Sequence, residues 1–93
     1  MDDKLLSQEQ IDELLAEFPQ WQRDNGRLRR SYEFANFVEA FAFMTKVALV
    51  SEKLFHHPEW NNVYNRVNIA ITDHAAGGIS AKDRAWIELV ERL

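Results

Sequence analysis

All three histidines of this 93-residue chain lie within the segment 56–74, which makes this segment the first candidate for a chemical site. His56 and His57 are adjacent at the end of a hydrophobic helical pattern, and His74 follows a strand-like pattern. Imidazole is the one side chain whose ordinary pKa allows it to change charge near neutral pH. Three imidazoles brought together in the fold would support acid–base catalysis without a metal or a cofactor.

Two carboxylates stand where they could support these imidazoles. Glu52 precedes His56 by four residues, so on a helix the two share a face, and the simplest interpretation is an exposed pair. Asp83 is the third residue after Ser80, which is the spacing of a capping box that begins a helix. The Asp83 carboxylate would then satisfy a backbone N–H, and it could also orient a histidine.

The adjacent histidines have a structural interpretation as well as a catalytic one. Histidine is favoured at the negative end of a helix, so His56 or His57 could act as a C-terminal cap. A shared metal ion is disfavoured, because adjacent side chains diverge and no pair has the i, i+4 spacing of a zinc helix. The spacing alone leaves capping and catalysis open, and it predicts no metal site.

Aromatic and basic residues around the histidines also have two interpretations each. Trp60 and Tyr64 are ordinary core or sheet residues, or they form the walls of a pocket for a flat ring. A basic strip precedes them in the chain, and such a strip is more often a solvated or protected strand edge than a partner surface. Its members are Arg23, Arg27, Arg29 and Arg30.

Capping and turn signals predict the order α-β-β-α-β(-β)-α. Three capping boxes are predicted, at Ser7 with Gln10, Asn36 with Glu39, and Ser80 with Asp83. The helices that they open end at Pro19, at about Phe55 before Pro58, and after a buried stripe of Trp86, Leu89, Val90 and Leu93. Asn25-Gly26 predicts a tight hairpin turn. This order is typical of an α+β domain with helices on one face of an antiparallel sheet.

Alternating residues predict the buried faces of the strands. Leu28, Tyr32 and Phe34 share one parity in the first hairpin. In the later strand region the apolar parity comprises Val63, Asn65, Val67, Ile69 and Ile71. That region is either one long strand or two strands broken near Asn65-Arg66.

The central helix is apolar on more than one side, which predicts burial on more than one side. A chain this small cannot cover both sides itself, so part of the helix, or the sheet beside it, is expected to meet another subunit. Its apolar residues are Phe37, Val38, Phe41, Phe43, Met44, Val47, Ala48, Leu49, Val50, Leu54 and Phe55.

Composition limits the class of protein. The length allows one domain, residues 1–93, and 46% apolar residues suffice for a core. The net charge of −4 argues against a general nucleic-acid binder, and the absence of cysteine excludes disulfides and thiolate metal sites. The acidic N-terminus lacks the pattern of a signal peptide, and no apolar run could span a bilayer. A soluble cytoplasmic protein is therefore expected.

The constellation around the histidines resembles that of the pterin-4a-carbinolamine dehydratases. It runs from an acidic residue through His-His-Pro and an aromatic residue to a histidine and an aspartate, here Glu52, His56-His57-Pro58, Tyr64, His74 and Asp83. The flanking residues Glu59-Trp60, Asn62-Val63-Tyr64-Asn65 and Gly78-Ile79-Ser80 match as well, and the resemblance covers nearly the whole chain. There are two departures, Asp73 where members often carry Ser or Thr, and Lys82 where some carry arginine.

The resemblance implies a lyase that removes water from a 4a-hydroxytetrahydropterin and gives quinonoid dihydropterin, which supports tetrahydropterin recycling after aromatic amino acid hydroxylation. The pterin is the substrate, and no cofactor is implied. The implied fold is a four-stranded antiparallel sheet with three helices on one face, assembled as homodimers or homotetramers. Catalytic roles would fall to His56, His57, His74 and Asp83. Substrate contacts would fall to Glu52, Pro58, Trp60, Asp73, Ala75 and Ala76.

Two other functions stay open at this point. Eukaryotic members also serve as a dimerisation cofactor for a homeodomain transcription factor, so the chain could be a non-catalytic interaction module. It could also serve another pterin pathway, such as molybdenum-cofactor metabolism. The three histidines favour the enzyme, because a scaffold has no physical need for them.

Overall fold

The computed structural model describes residues 4–93; the acidic residues 1–3, where no export signal is predicted, lie outside this range. The helices are α1 (Gln8–Glu17), α2 (Phe37–Leu54) and α3 (Ala81–Val90), and the strands are β1 (Gln22–Asp24), β2 (Arg27–Glu33), β3 (Glu59–Val63) and β4 (Arg66–Ile71). The strands form one antiparallel sheet in the order β1-β2-β4-β3. The predicted α+β fold with the order α-β-β-α-β-β-α is confirmed.

The core lies between the three helices and one face of the sheet. Alternate residues of β2 and β4, such as Leu28, Ile69 and Ile71, are buried there. Trp21 and Trp86 meet edge to face with ring centroids 6.1 Å apart, and the Trp86 indole N–H donates to Ser51 Oγ at 3.0 Å. That bond joins α3 to the C-terminal part of α2, where the histidines follow.

The other face of the sheet is open and polar. Ser31 Oγ donates to Asn68 Oδ1 at 2.6 Å, and Asn68 Nδ2 donates to Asn61 Oδ1 at 2.9 Å, so one hydrogen-bonded row crosses three strands. No helix within residues 4–93 is both long enough and apolar enough to cross a membrane.

Helix α2 ends at Leu54, within one residue of the predicted end at about Phe55. Phe55 takes a left-handed conformation with φ of 56°, which breaks the helical hydrogen-bonding pattern there. The N-cap of α2 also differs from a full capping box. Asn36 accepts from the Glu39 N–H as predicted, but the Glu39 carboxylate accepts from Ala35 instead of Asn36.

Two predicted burial patterns are wrong in part. The strand region is broken by a turn at Tyr64, whose φ is 51°, so the alternation does not continue from β3 to β4. Val63 is consequently 71% exposed, opposite Arg66 on the open face. In α3 the buried stripe comprises Asp83, Trp86, Ile87 and Val90, whereas Leu93 lies beyond the helix and is about half exposed.

Each arginine of the basic strip in β1 and β2 binds an acidic or amide side chain. Arg27 binds Glu59 at 2.5 Å, Arg29 binds Asp24 at 2.6 Å, and Arg23 binds Gln8. The remaining member, Arg30, binds the half-buried Glu91 after α3. These pairs support the interpretation as a protected edge.

Glu91 fastens the end of α3 to the sheet. Its carboxylate accepts from the Trp21 indole, from Arg30 and from the Tyr32 hydroxyl. Burial alone would raise the pKa of Glu91, but these three donors together hold it below its usual range. The ionised carboxylate thereby fixes one end of α3, and Asp83 lies at the other.

Candidate active site

Three segments of the chain meet at one end of the sheet. The register that pairs Glu59 with Ala70 places the residues before β3 beside the residues after β4. The loop after β4 folds back through a bridge between Asp73 and Gly78 and leads into α3. His56, His57, His74 and Asp83 are all carried by these segments.

The two adjacent histidines follow the left-handed Phe55 and differ in burial. The His56 N–H donates to Ser51 O at 3.0 Å, and the His56 residue is only 8% exposed. The side chain of His57 is 52% exposed. A left-handed non-glycine residue costs roughly 1–2 kcal/mol. The predicted divergence of the two side chains is confirmed, since His56 contacts Asp83 and His57 contacts Glu52.

Asp83 both caps α3 and contacts His56. Its Oδ2 accepts from the Ser80 N–H at 2.8 Å, which is the reciprocal bond of the predicted capping box. Its Oδ1 lies 2.6 Å from His56 Nε2, a distance at which an imidazole N–H donates to a carboxylate. Asp83 is fully buried, so the pair is shielded from water on the carboxylate side.

Glu52 contacts His57 and not His56. Its Oε2 lies 2.5 Å from His57 Nε2, and both side chains are exposed. The prediction that Glu52 shares a face with His56 is wrong, because the helix ends before His56 and the chain turns inward. Each adjacent histidine therefore has its own carboxylate, one buried and one facing solvent.

Asp73, a predicted substrate contact, is buried, and its side chain is bonded within the protein. It is 3% exposed, and its two oxygens accept from Ser80 Oγ at 2.7 Å and from the Ala76 N–H at 3.1 Å. Burial opposes ionisation, but these bonds and the charges of His56 and Lys82 hold the pKa of Asp73 below its usual range. The position favours a supporting role over direct contact with a ligand.

His74 is exposed at the start of the loop that Asp73 closes. It lies near Glu59, whose pKa is lowered mainly by the hydrogen bond from Arg27 and to a smaller extent by His74. A cleft of about 290 Å³ opens beside it. The lining of the cleft includes Arg27, Asp73 and His74, but neither His56 nor His57.

The remaining predicted residues are divided between the site and other parts of the fold. Pro58 is half buried directly after the histidines, and Ala75 and Ala76 lie in the His74 loop. Trp60 packs against the core from the helix-facing side of β3. Tyr64 lies in the turn after β3, at the other end of the sheet from the histidines, and is 61% exposed, so neither of its two interpretations, a core or sheet residue or a pocket wall, describes its position in this chain.

The sequence patterns missed the hydroxyl of Ser80 as part of the site. Ser80 was recognisable as a cap, but its bond to Asp73 depends on the folded loop. Within residues 4–93 no cluster of three or more His, Asp and Glu side chains could hold a metal ion. The contacts of His56 with Asp83 and of His57 with Glu52 give an arrangement in which carboxylates hold two imidazoles that can move protons.

The family model and the named relatives that match this chain agree with one another. A family model described as pterin 4 alpha carbinolamine dehydratase matches residues 4–93. A protein of Synechococcus sp. (strain WH7803), named "Putative pterin-4-alpha-carbinolamine dehydratase", is 52% identical over 89 residues, which cover 96% of each chain. A protein of the same name from a strain of Prochlorococcus marinus is 48% identical and covers 100% of this chain and 97% of its own.

Two solved structures with a similar fold are described by different functions. The crystal structure of a transcriptional coactivator/pterin dehydratase from Brucella melitensis has a TM-score of 0.90 and 34% identity, over 96% of this chain and 97% of that one. A pterin dehydratase-like protein identified as a RuBisCO assembly factor in the alpha-carboxysome has a TM-score of 0.63 and 25% identity, over 77% and 83% of the two chains.

Proposed function

Because this chain belongs to the pterin 4 alpha carbinolamine dehydratase family, we propose that it removes water from a 4a-hydroxytetrahydropterin. In this reaction the C4a–O bond breaks, and the hydroxyl leaves as water after a general acid protonates it. The N5 proton passes to a general base, and the N5 electron pair forms the new C4a=N5 bond of quinonoid dihydropterin. No electron is gained or lost, and no step passes through a metal or a cofactor.

The observation that carries this proposal is the pairing of each adjacent histidine with its own carboxylate, at the end of the sheet where the loop after β4 carries the third histidine. His56 lies against Asp83 at 2.6 Å, and His57 against Glu52 at 2.5 Å. Since imidazole can both donate and accept a proton near pH 7, three of them suffice for both transfers. His57 and His74 are exposed and so reach a bound pterin, whereas the buried His56 is held by Asp83.

The other site residues would bind the pterin. Glu52 offers a carboxylate to the amide-like edge of the ring, and Pro58 and Trp60 would shape the pocket wall. Ala75 and Ala76 would border the substrate from the His74 loop. The pterin is thus the substrate, and nothing else needs to be bound for the chemistry.

Stopped-flow ultraviolet absorbance tests the activity directly. Enzymatically generated 4a-hydroxytetrahydropterin is followed with and without the protein, and faster decay is expected with it. Unchanged decay with a folded protein would reject the dehydratase. A pterin titration would then decide whether the ring binds at all.

We also propose that the protein is a homo-oligomer, a dimer or a tetramer, assembled through α2. The helix leaves Val38 75%, Leu49 67% and Phe41 53% exposed, although the chain is small and its apolar content high. Light scattering at tens of micromolar is expected to give more than one chain mass, and Phe41→Asp is expected to lower that mass. A wild-type monomer under these conditions would reject the proposal. Gln20→Asp, on an exposed loop outside α2, is the control for the added charge.

A second candidate is an interaction module without catalysis. The exposed apolar residues of α2 and the names of the two similar structures, a coactivator and an assembly factor, favour it. The two functions differ in one measurement, since a module needs neither turnover nor the histidines. Full assembly of a variant with all three histidines replaced, together with no turnover by the wild type, would support the module.

A further inference from the structure

Asp73 is a buried carboxylate whose two oxygens serve the two halves of the proposed site. Oδ1 accepts from the Ala76 N–H at 3.1 Å, within the loop that carries His74. Oδ2 accepts from the Ser80 hydroxyl at 2.7 Å, at the start of α3. The Asp73 residue is 3% exposed, so both bonds are shielded from water.

On the His74 side, the backbone of Asp73 adds to the same closure. Its carbonyl oxygen accepts from the Gly77 N–H at 2.9 Å and from the Gly78 N–H at 3.1 Å, and its own N–H donates to Gly78 O at 3.0 Å. Side chain and backbone of one residue therefore fold the loop 73–78 back on itself. His74, the next residue, is held by that closure.

On the α3 side, a chain of contacts connects Asp73 to His56 through Ser80 and Asp83. The Ser80 that binds Asp73 also donates its N–H to Asp83 Oδ2 at 2.8 Å, and Asp83 Oδ1 lies 2.6 Å from His56 Nε2. Asp73, Ser80, Asp83 and His56 are all buried. Electrostatic interactions between such groups are stronger than at the surface, because little water screens them.

Asp73 carries a negative charge in this network. Burial opposes the charge, but the bonds from Ser80 and Ala76 together with His56 and Lys82 lower the pKa of Asp73 overall. The charged groups around the site are Asp83 against His56, Glu52 against His57, Lys82 near Asp73, and the Arg27–Glu59 pair near His74. Asp73 thus places a second buried carboxylate behind the one that touches His56.

We propose that Asp73 is a positioning residue shared by both halves of the site, and that its charge sets the pH range in which His56 exchanges a proton. The part of this inference that concerns rate rests on the proposed dehydratase function. The part that concerns His56 does not need a substrate. Asp73 acts through Ser80, Asp83 and the loop.

The direction of the effect follows from the sign of the charge. A nearby carboxylate favours the imidazolium over the neutral imidazole. Removing the charge therefore lets His56 lose its proton at lower pH. Whether His56 donates or accepts the proton in the reaction, the limb of the pH–rate profile that it controls moves to lower pH.

Asp73→Asn is the variant for the test, because it removes the charge and keeps the size and an acceptor for Ala76. Imidazole NMR signals are followed across pH without substrate, and kcat/KM is measured across the same range. We expect the titration curve of His56 and one limb of the profile to move to lower pH, because a carboxylate charge near the imidazole is lost. His57 faces solvent with Glu52 and is expected to keep its curve, which makes it an internal control. Asp12→Asn, an exposed change of the same kind on α1, is the matched control.

If Asp73→Asn folds and neither the His56 titration curve nor the limb of the pH–rate profile moves, the proposed effect of the Asp73 charge is wrong. If Asp12→Asn moves both by the same amount, the effect comes from net charge alone, and the proposal is wrong as well. If Asp73→Asn fails to fold, Asp73→Ser is used in its place, since a hydroxyl can still accept from the Ala76 N–H.

The positioning role is tested by Asp73→Ala, which removes both acceptors. We expect Asp73→Ala to lower kcat about tenfold more than Asp73→Asn does. Equal kcat in the two would overturn the positioning role. If the wild type has no dehydratase activity, the proposed function fails, and the NMR curves still decide the effect on His56.

Discussion

Replacing His57 or His74 with glutamine is expected to slow pterin dehydration by roughly 10²–10⁴-fold at neutral pH. Glutamine can fill the space and form hydrogen bonds, but it cannot exchange a proton near pH 7. His57 has an exposed side chain and His74 is exposed, so the free energy of unfolding should change by less than about 0.5 kcal/mol. Stopped-flow absorbance gives the rates, and thermal unfolding shows that the fold survives.

Arg66→Gln is the matched control for these variants. Arg66 is exposed and lies at the other end of the sheet, with Glu33 at 3.6 Å. Such an exposed pair contributes little to stability, so this variant should keep both the rate and the unfolding temperature of the wild type. Near-normal rates in both histidine variants would contradict their assignment to proton transfer. A loss in only one of them would assign the transfer to that residue alone.

Asp83→Ala is expected to damage both stability and turnover. The change removes the acceptor of the Ser80 N–H and leaves the buried His56 without its carboxylate. We expect the free energy of unfolding to fall by about 2–4 kcal/mol, since a helix cap and a buried polar partner are lost together. Turnover at a temperature where the variant is still folded should fall as well, because His56 is no longer oriented. Chemical denaturation and stopped-flow absorbance measure the two effects.

Gln10→Ala separates the cap from the histidine contact. Gln10 holds the same place in the capping box of α1, where its side chain accepts from the Ser7 N–H at 2.8 Å, but it is exposed and has no histidine partner. Its loss should cost about 1 kcal/mol or less and leave turnover unchanged. If Asp83→Ala cost no more than Gln10→Ala, the buried contact with His56 would contribute nothing to stability.

Local signals in the sequence were enough for most of the fold. The turn at Asn25-Gly26 and the capping boxes of α1 and α3 depend on residues within a few positions of one another, and the structure has them as predicted. A break between two strands near Asn65-Arg66 was one of the two alternatives that the sequence left open, and the structure has two strands. The exposure of Val63 was not predictable in the same way, because it depends on the position and conformation of the turn at Tyr64. An aromatic residue with positive φ gives no local signal for such a turn.

The site was predictable in its residue types and less so in its contacts. The pairing of Glu52 with His57 depends on Phe55, whose left-handed conformation ordinary propensities disfavour. The inward position of Asp73 depends on Ser80, and the two meet only when the loop between them is folded. Spacing can place residues on one face of a helix or strand, but it cannot describe a loop that joins two elements.

The double attachment of the loop 73–80 has a consequence for how its length can vary. Surface loops usually tolerate insertions and deletions, because little depends on their length. In this loop Asp73 at one end is hydrogen-bonded to Ser80 at the other. The first turn of α3, which follows, must also place Asp83 in contact with His56. An added or deleted residue would break one of these attachments. The number of residues between β4 and α3 is therefore set by the geometry of the site and not by the distance that the connection must span.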